Sequence, residues 1–537
     1  MMLTLLASAY GSTFLLVAGV VFLATAGALL LWRRRKNKAV TALLLVVALL
    51  LSLGAGGVSV LRQASGLQRG SGPEFTLNER VNRFTLQQDV DHEPFAGLIE
   101  DVGTARLQEM QERFGDSDLV ERHRVRLAHG YSASDMLAYY VWRMEREEKP
   151  NSYYRAVMEL DPRAIDQARR AGAPDPDNPL HGAVVMVKGN IAVRGLANDS
   201  GSWALADAVA GEDAEVVSRL RAQGAVIAGR TNLSEFANFL TVGAPNGFSA
   251  RGGQALSPAG PLTVDPLGSS TGSATSIALD FADLTVGTET AGSVLAPAEA
   301  AGVVGLKASH GGCSIAGIVP IDDRVDAVGF FGRSVRDTRL AHDAACGPPT
   351  RQAETPRRIM VLGDIPAALP AGLEAVAAPE KIRELNERID TARTEEILLA
   401  GAGPSLQRHL ATSTGRARTI GDIVDFYAAQ PETAPFGAIT LRQAARTQED
   451  GAEHLEELRK LVAEMDEQLR AAGVDALVSV GGNLANYSLA GVPRLSVPWE
   501  RQAAPSGTTS PEVALQITAA REDALPEVLA IAESLGR

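Results

Sequence analysis

Two serines and a lysine carry the chemistry this sequence offers. Residues 265–274 read D-P-L-G-S-S-T-G-S-A and residues 284–297 read L-T-V-G-T-E-T-A-G-S-V-L-A-P. Each holds a turn rich in small residues, Gly268–Gly272 and Thr288–Ser293, and between the turns the pattern predicts a helix running to Phe281 and a short apolar strand. Ser269 and Ser293 can therefore meet at one end of a sheet. Lys188 closes the apolar run Ala183–Val187, where a buried strand gives way to a loop. A serine hydroxyl attacks a carbonyl only with help from a base. A lysine can be that base once it is neutral, and burial works in that direction against an ordinary pKa of ~10.4. Taken singly, a lysine after a strand is an ordinary surface residue and serines in such turns are turn formers. The joint pattern carries the reading.

A rival nucleophile lies in the same stretch. Gly268–Gly272 also matches G-x-S-x-G with Ser270 at its centre, an elbow that should follow a buried strand. Pro258, Pro261 and Pro266 precede it instead, which argues against a strand. The eight histidines show no H-E-x-x-H pattern, and His310 beside a glycine pair reads as a structural hydrogen-bonding group. Cys313 and Cys346 are the only cysteines, too few for a disulfide framework or a zinc site. Neither metal nor cofactor is expected.

These segments resemble the amidase signature family. Its members carry a G-S-S-x-G-S segment, a nucleophilic serine 24 residues after the first serine of that segment, and a lysine at a V-K-D-N-like strand end. Here Ser269 and Ser293 are 24 apart and V-K-G-N-I supplies Lys188. The form G-T-E-T-x-G-S, with N-G-F-S-A-R-G-G-Q at Asn246–Gln254, is most similar to the branch containing bacterial peptide amidases, and the resemblance runs from roughly Ser132 to the end of the chain. It implies an α/β fold with a mixed sheet covered by helices. It further implies that neutral Lys188 takes a proton from Ser269, which takes one from the nucleophile Ser293, with a cis peptide bond before Ser269. The oxyanion hole would be the backbone N–H groups of Thr290, Ala291, Gly292 and Ser293. The chain departs from the family at Gly189, where aspartate is usual, and at Thr271, where glycine or serine is usual. It departs again at Ala291, where glycine or aspartate is usual, and at Leu295, where many members have arginine.

The elements that must position these groups follow from patterning. Ala183–Val187, Ala225–Gly229, Leu284–Gly287, Val303–Leu306, Ala476–Val480 and Ala514–Thr518 read as strands, with helices at Ser132–Glu147 and Pro162–Arg170 before the first and at Glu212–Gln223 between the first two, so an α/β sheet is expected. Residues 351–473 read as mostly helical, since Leu455, Leu458, Leu461, Val462, Met465 and Leu469 fall at helical spacing. Residues 81–537 thus form the catalytic domain and residues 62–80 a linker. Met1–Trp32 carries no charge, Arg33–Lys38 carries five cations, and Ala39–Leu61 is again uncharged. Each apolar run reaches the ~20 residues of a membrane span. Residues 1–61 are therefore expected to form a transmembrane hairpin with a cytoplasmic basic loop, in preference to a signal peptide, leaving the catalytic domain membrane-anchored and extracytoplasmic.

A net charge of −13 argues against nucleic acid as a partner. The expected partner is a small-molecule, peptide or lipid amide, with a homo-oligomer left open. The leading expectation is an amidase that cleaves carboxamide C–N bonds through an acyl-enzyme. Alternatives are a fatty-acid-amide-type hydrolase fed from the bilayer and an inactive family member acting as a scaffold. An amidotransferase component is set aside because of the hairpin.

Overall fold

The run V-V-M-V-K alternates its side chains between two apolar environments, and that alternation fixes the sheet around it. Val184 and Met186 pack with Tyr140, Ala156, Val226 and Phe281 on one face. Val185 and Val187 pack with Ile227, Val286, Val328 and Ala341 on the other. Both faces are covered, as parallel strands require, and fully burying one such valine contributes about 1.5–3 kcal/mol.

The structure is a computed structural model that describes residues 88–147, 154–261, 263–351, 353, 358–363, 373–448, 451–481, 484–499 and 513–535. The chain divides into two units, Met1–Arg69 and Gly70–Arg537, and every described residue belongs to the second. In chain order the strands are β1 (Val157–Leu160), β2 (Val184–Lys188), β3 (Val226–Thr231), β4 (Phe248–Ser249), β5 (Gly253–Gln254), β6 (Leu284–Glu289), β7 (Val304–Lys307), β8 (Ala327–Gly332), β9 (Arg358–Leu362), β10 (Glu374–Ala377), β11 (Ala476–Val480), β12 (Arg494–Trp499) and β13 (Val513–Thr518). β4 and β5 pair with each other. The remaining eleven form one sheet in the order β1-β3-β2-β6-β8-β7-β12-β13-β11-β9-β10. The sheet is mixed: β2 runs parallel to β3 and β6, β9 parallel to β10 and β11, and the other pairs are antiparallel.

The expected α/β architecture is present, and the six expected strands each appear within two residues of their bounds. Others went unread. In β8, A-V-G-F-F-G, the glycines look like turn signals, yet the strand is wholly buried between β6 and β7. Gly329 is there for space: a Cβ would lie 2.3 Å from the Val294 side chain. The 351–473 section contains β9 and β10 as well as the helix Ala452–Ala471. That helix buries Leu455, Leu458, Val462, Met465 and Leu469 as its spacing predicts.

The expected membrane localisation, with an extracytoplasmic catalytic domain, is corrected. Among the described residues no helix is long and apolar enough to cross a membrane. The longest, Ala452–Ala471, leaves Glu453, Glu456, Glu457 and Lys460 exposed opposite its apolar stripe, as a helix lying on a globular core does. The expectation rested on residues 1–61, which, like the linker 62–80, lie outside the described residues. Cys313 and Cys346, too few for a framework, form a single disulfide between the segment after β7 and the end of the helix Val335–Cys346.

Candidate active site

β2 and β6 run side by side with Val187 opposite Val286, so their C-terminal ends open onto the same rim. Lys188 is the last residue of β2 and is fully buried. Its Nζ donates to Ser269 Oγ at 2.8 Å, Thr288 Oγ1 at 2.9 Å and Thr288 O at 3.2 Å. No carboxylate touches it among the described residues. Burial pulls its pKa down to about 7, and the more distant charges of Asp326 and Glu289 offset only part of that pull. Asn190, two residues on, holds Thr288 from the other side, its Nδ2 donating to Thr288 Oγ1 at 3.1 Å.

Ser269 lies on the turn that opens the helix Thr271–Ala278, and the Gly268–Ser269 peptide is cis. Its carbonyl accepts the Ser234 N–H at 3.1 Å. Gly272 is required by close approach, because a Cβ would meet Ala156 O at 2.3 Å and Asn232 O at 2.5 Å. Thr271, one of the departures from the family pattern, ties the turn by donating to Leu267 O at 2.5 Å. Ser270 is buried, donates to Thr288 O at 3.1 Å and follows no strand, so the elbow arrangement is not built.

Ser293 sits on the turn after β6. At 8% relative exposure it is the one member of the trio that solvent reaches, Lys188 and Ser269 being at 0%. The two serine turns touch, the Ser270 N–H donating to Ser293 O at 3.2 Å. Ser293 Oγ hydrogen-bonds to no described residue. Gly292 adopts φ +99°, a conformation that favours glycine. The Val294 and Leu295 N–H groups both donate to Glu289 Oε2, at 2.6 and 3.0 Å. Those of Ala291, Gly292 and Ser293 donate to no acceptor among the described residues. Thr290 Oγ1 donates to Asp326 at 2.5 Å.

The other departures have local reasons. At Gly189 an added Cβ would lie 2.7 Å from the Met158 methyl and 2.8 Å from Leu233, so the usual aspartate would require both side chains to shift. Leu295 is fully buried with Ala274, Ile277, Val294 and Phe331 and brings no cation to the site. Ala291 is half-buried at the crest of the turn. Sequence reading missed Thr288, Glu289 and Asp326. The first two stand inside the G-T-E-T segment, whereas Asp326 is delivered by β8 and has no local signal. His310 is structural as expected, its Nδ1 lying 3.1 Å from Asp326 O. No group of metal-ligating side chains occurs among the described residues.

Residues 135–383 match the Amidase family model. A probable amidase of Arabidopsis thaliana is 42% identical over 211 residues, which is 38% of this chain and 41% of that protein. A glutamyl-tRNA(Gln) amidotransferase subunit of Thermus thermophilus is 35% identical over 286 residues, 51% of this chain and 55% of that protein. The chain thus spans about half the length of these curated relatives. The peptide amidase from Stenotrophomonas maltophilia superimposes with a TM-score of 0.68 at 26% identity, covering 79% of this chain and 96% of that one. With the signature segments in register and the sheet shared with the peptide amidase, residues 135–383 are similar to the amidase family in both sequence and fold.

Proposed function

We propose that the protein hydrolyses a carboxamide C–N bond through an acyl-enzyme on Ser293. The observation that carries this reading is Lys188, fully buried, 2.8 Å from Ser269 Oγ and without a carboxylate in contact. A pKa of about 7 leaves a large neutral fraction at neutral pH, the form a general base needs. Ser293 Oγ attacks the amide carbon. Its proton passes to Ser269 Oγ as the Ser269 proton passes to Lys188 Nζ. The carbonyl oxygen becomes an anion and is met by the free N–H groups of the 290–293 turn. The proton on Lys188 returns through Ser269 to the nitrogen, which leaves as an amine or ammonia. Water then attacks the Ser293 ester by the same route and releases the acid.

A peptide-like amide is the substrate class these features favour. The structural likeness to a peptide amidase supports it, as does the G-T-E-T form of the nucleophile turn. Leu240, Phe248 and Phe436 line a small recess with Ser234, Glu235, Asn238 and Thr241, one hydrogen bond away from Ser269. The scaffold alternative is disfavoured because no member of the trio is substituted. The bilayer-fed alternative rested on residues 1–61, and no described residue supports it. The likeness to a component of an amidotransferase supports a second reading, in which the same site works inside a complex. Hydrolysis of a simple peptide amide by the isolated chain separates the two.

The test is labelling with a fluorophosphonate and mapping of the adduct. It should fall on Ser293, and Ser293→Ala should abolish both labelling and hydrolysis while leaving the melting temperature unchanged. An adduct on Ser270 would overturn the assignment.

A further inference from the structure

Two buried carboxylates outside the serine–lysine trio grip the turn that carries Ser293. Glu289, the last residue of β6, is fully buried. Its Oε2 accepts both the Val294 and Leu295 N–H groups, and its Oε1 accepts the Ser488 hydroxyl. Ser488 in turn accepts from Arg494 Nη1 at 2.9 Å, and Arg494 is anchored to Gln516 and Thr518 on β13. On the other flank, Asp326 takes the Thr290 hydroxyl on Oδ1 and the Ile321 and Asp322 N–H groups on Oδ2, at 2.9 and 3.2 Å. Between the two grips lie Ala291, Gly292 and Ser293, whose N–H groups no described acceptor claims.

We infer that Glu289 and Asp326 are positioning residues, which fix the backbone of the Ser293 turn from its two ends so that the N–H groups of Ala291–Ser293 stay free and in place for an anionic oxygen. The inference rests on the amide-hydrolysis reading. The physical argument is preorganisation. Donors that must reorient as charge develops lose much of their advantage, so a hole made of backbone N–H groups works only as well as its backbone is held. Gly292 is conformationally free by nature, and a turn containing it needs outside restraint. A carboxylate serves better than a carbonyl here, because its several lone pairs can take two or three donors at once. Glu289 also removes the N–H groups of Val294 and Leu295 from competition, so that the oxygen meets one set of donors. Neither carboxylate touches Ser293 Oγ or Ser269 Oγ, and both act through the turn.

The experiment uses Thr290→Val, which keeps the shape of the side chain and removes only its hydroxyl, with Thr290→Ser as the conservative rescue and Glu289→Gln as the change at the other grip. Fluorophosphonate labelling of Ser293 and steady-state kinetics on a peptide amide are measured for each, with the melting temperature as a check on folding. Thr290→Val should lower kcat and the labelling rate together by about 10- to 100-fold, less than the 10²–10³ of deleting an oxyanion donor outright, with KM within about twofold. Thr290→Ser should recover most of the loss. Glu289→Gln should act in the same direction and at least as strongly. A folded Thr290→Val variant with wild-type kcat would overturn the inference while leaving the amidase reading intact, as would a Thr290→Ser variant no better than Thr290→Val. Failure of the wild-type protein to label on Ser293 would instead remove the amidase reading itself.

Discussion

The two ends of β2 bury polar groups in opposite ways. At its start, the Val184 N–H donates to Asp283 at 2.8 Å, and Asp283 also accepts the Tyr140 hydroxyl at 2.5 Å. Beside it Asp280 binds Arg122 and Arg333, each at 2.5 Å, and the Tyr139 hydroxyl. Burial alone would raise the Asp280 carboxyl, but Arg122 and Arg333 overcome it and hold the pKa down to about 2. Four residues after Val184, Lys188 is just as buried but meets two hydroxyls and a carbonyl. Burial is only partly compensated there, by the more distant charges of Asp326 and Glu289, and the amine falls to about 7. Paired charges at the first end stay charged and inert, and they brace the sheet. The unpaired amine at the second end can give and take a proton near neutral pH.

Removing the unpaired amine should have the largest effect and should split activity from stability. Lys188→Met is expected to lower kcat by about 10³–10⁴-fold, as for a member of a catalytic unit, and to raise stability at neutral pH. The sign follows from the lowered pKa of the folded state. Below about pH 7 the folded protein holds a buried, charged lysine and bears the whole penalty. As pH rises toward ~10.4 the unfolded chain alone keeps the proton, and the penalty disappears. At pH 7 the gain is bounded by about 4 kcal/mol, at 1.36 kcal/mol per pKa unit, less the lost hydrogen bonds to Ser269 and Thr288. Urea unfolding of both proteins at pH 7 and pH 10 measures it. A variant less stable than wild type by the same amount at both values would mean that Lys188 is held as a paired cation.

The converse change, at the paired end, should cost stability and spare chemistry. Asp280→Asn leaves Arg122 and Arg333 without their shared carboxylate and is expected to destabilise the fold by about 3–5 kcal/mol. Its kcat per folded molecule should stay within about twofold of wild type. A stable variant with kcat down tenfold would show that the two ends are coupled through β2.

The sequence carried more signal for the proposed reactive end than for the bracing end, and the reason is local. Lys188 closes an apolar run, and Ser269 and Ser293 sit in glycine turns a fixed distance apart, so all three carry short-range signals. The helix Ala452–Ala471 was likewise legible from its period. Asp280 follows a helix like any solvated acid, and only the approach of Arg122 and Arg333 from distant elements makes it a brace. Asp326 is hidden in the same way, reaching Thr290 because β8 lies beside β6. β8 itself went unread, its Gly329 and Gly332 giving no strand signal although they allow close packing against Val294 and Asp337. The Cys313–Cys346 bridge had no signal in two isolated cysteines.

The central claim, that Lys188 is a base because no described carboxylate pairs with its charge, is tested most directly by the pH dependence of Ser293 acylation by a fluorophosphonate. The rate constant should rise about tenfold per pH unit on the acid side and level off above an apparent pKa of about 7, a single-proton limb reporting the free enzyme. The limb should vanish in Lys188→Met, leaving a slow rate that does not change with pH. A flat wild-type profile between about pH 5 and pH 9, or a limb that persists without Lys188, would contradict the account.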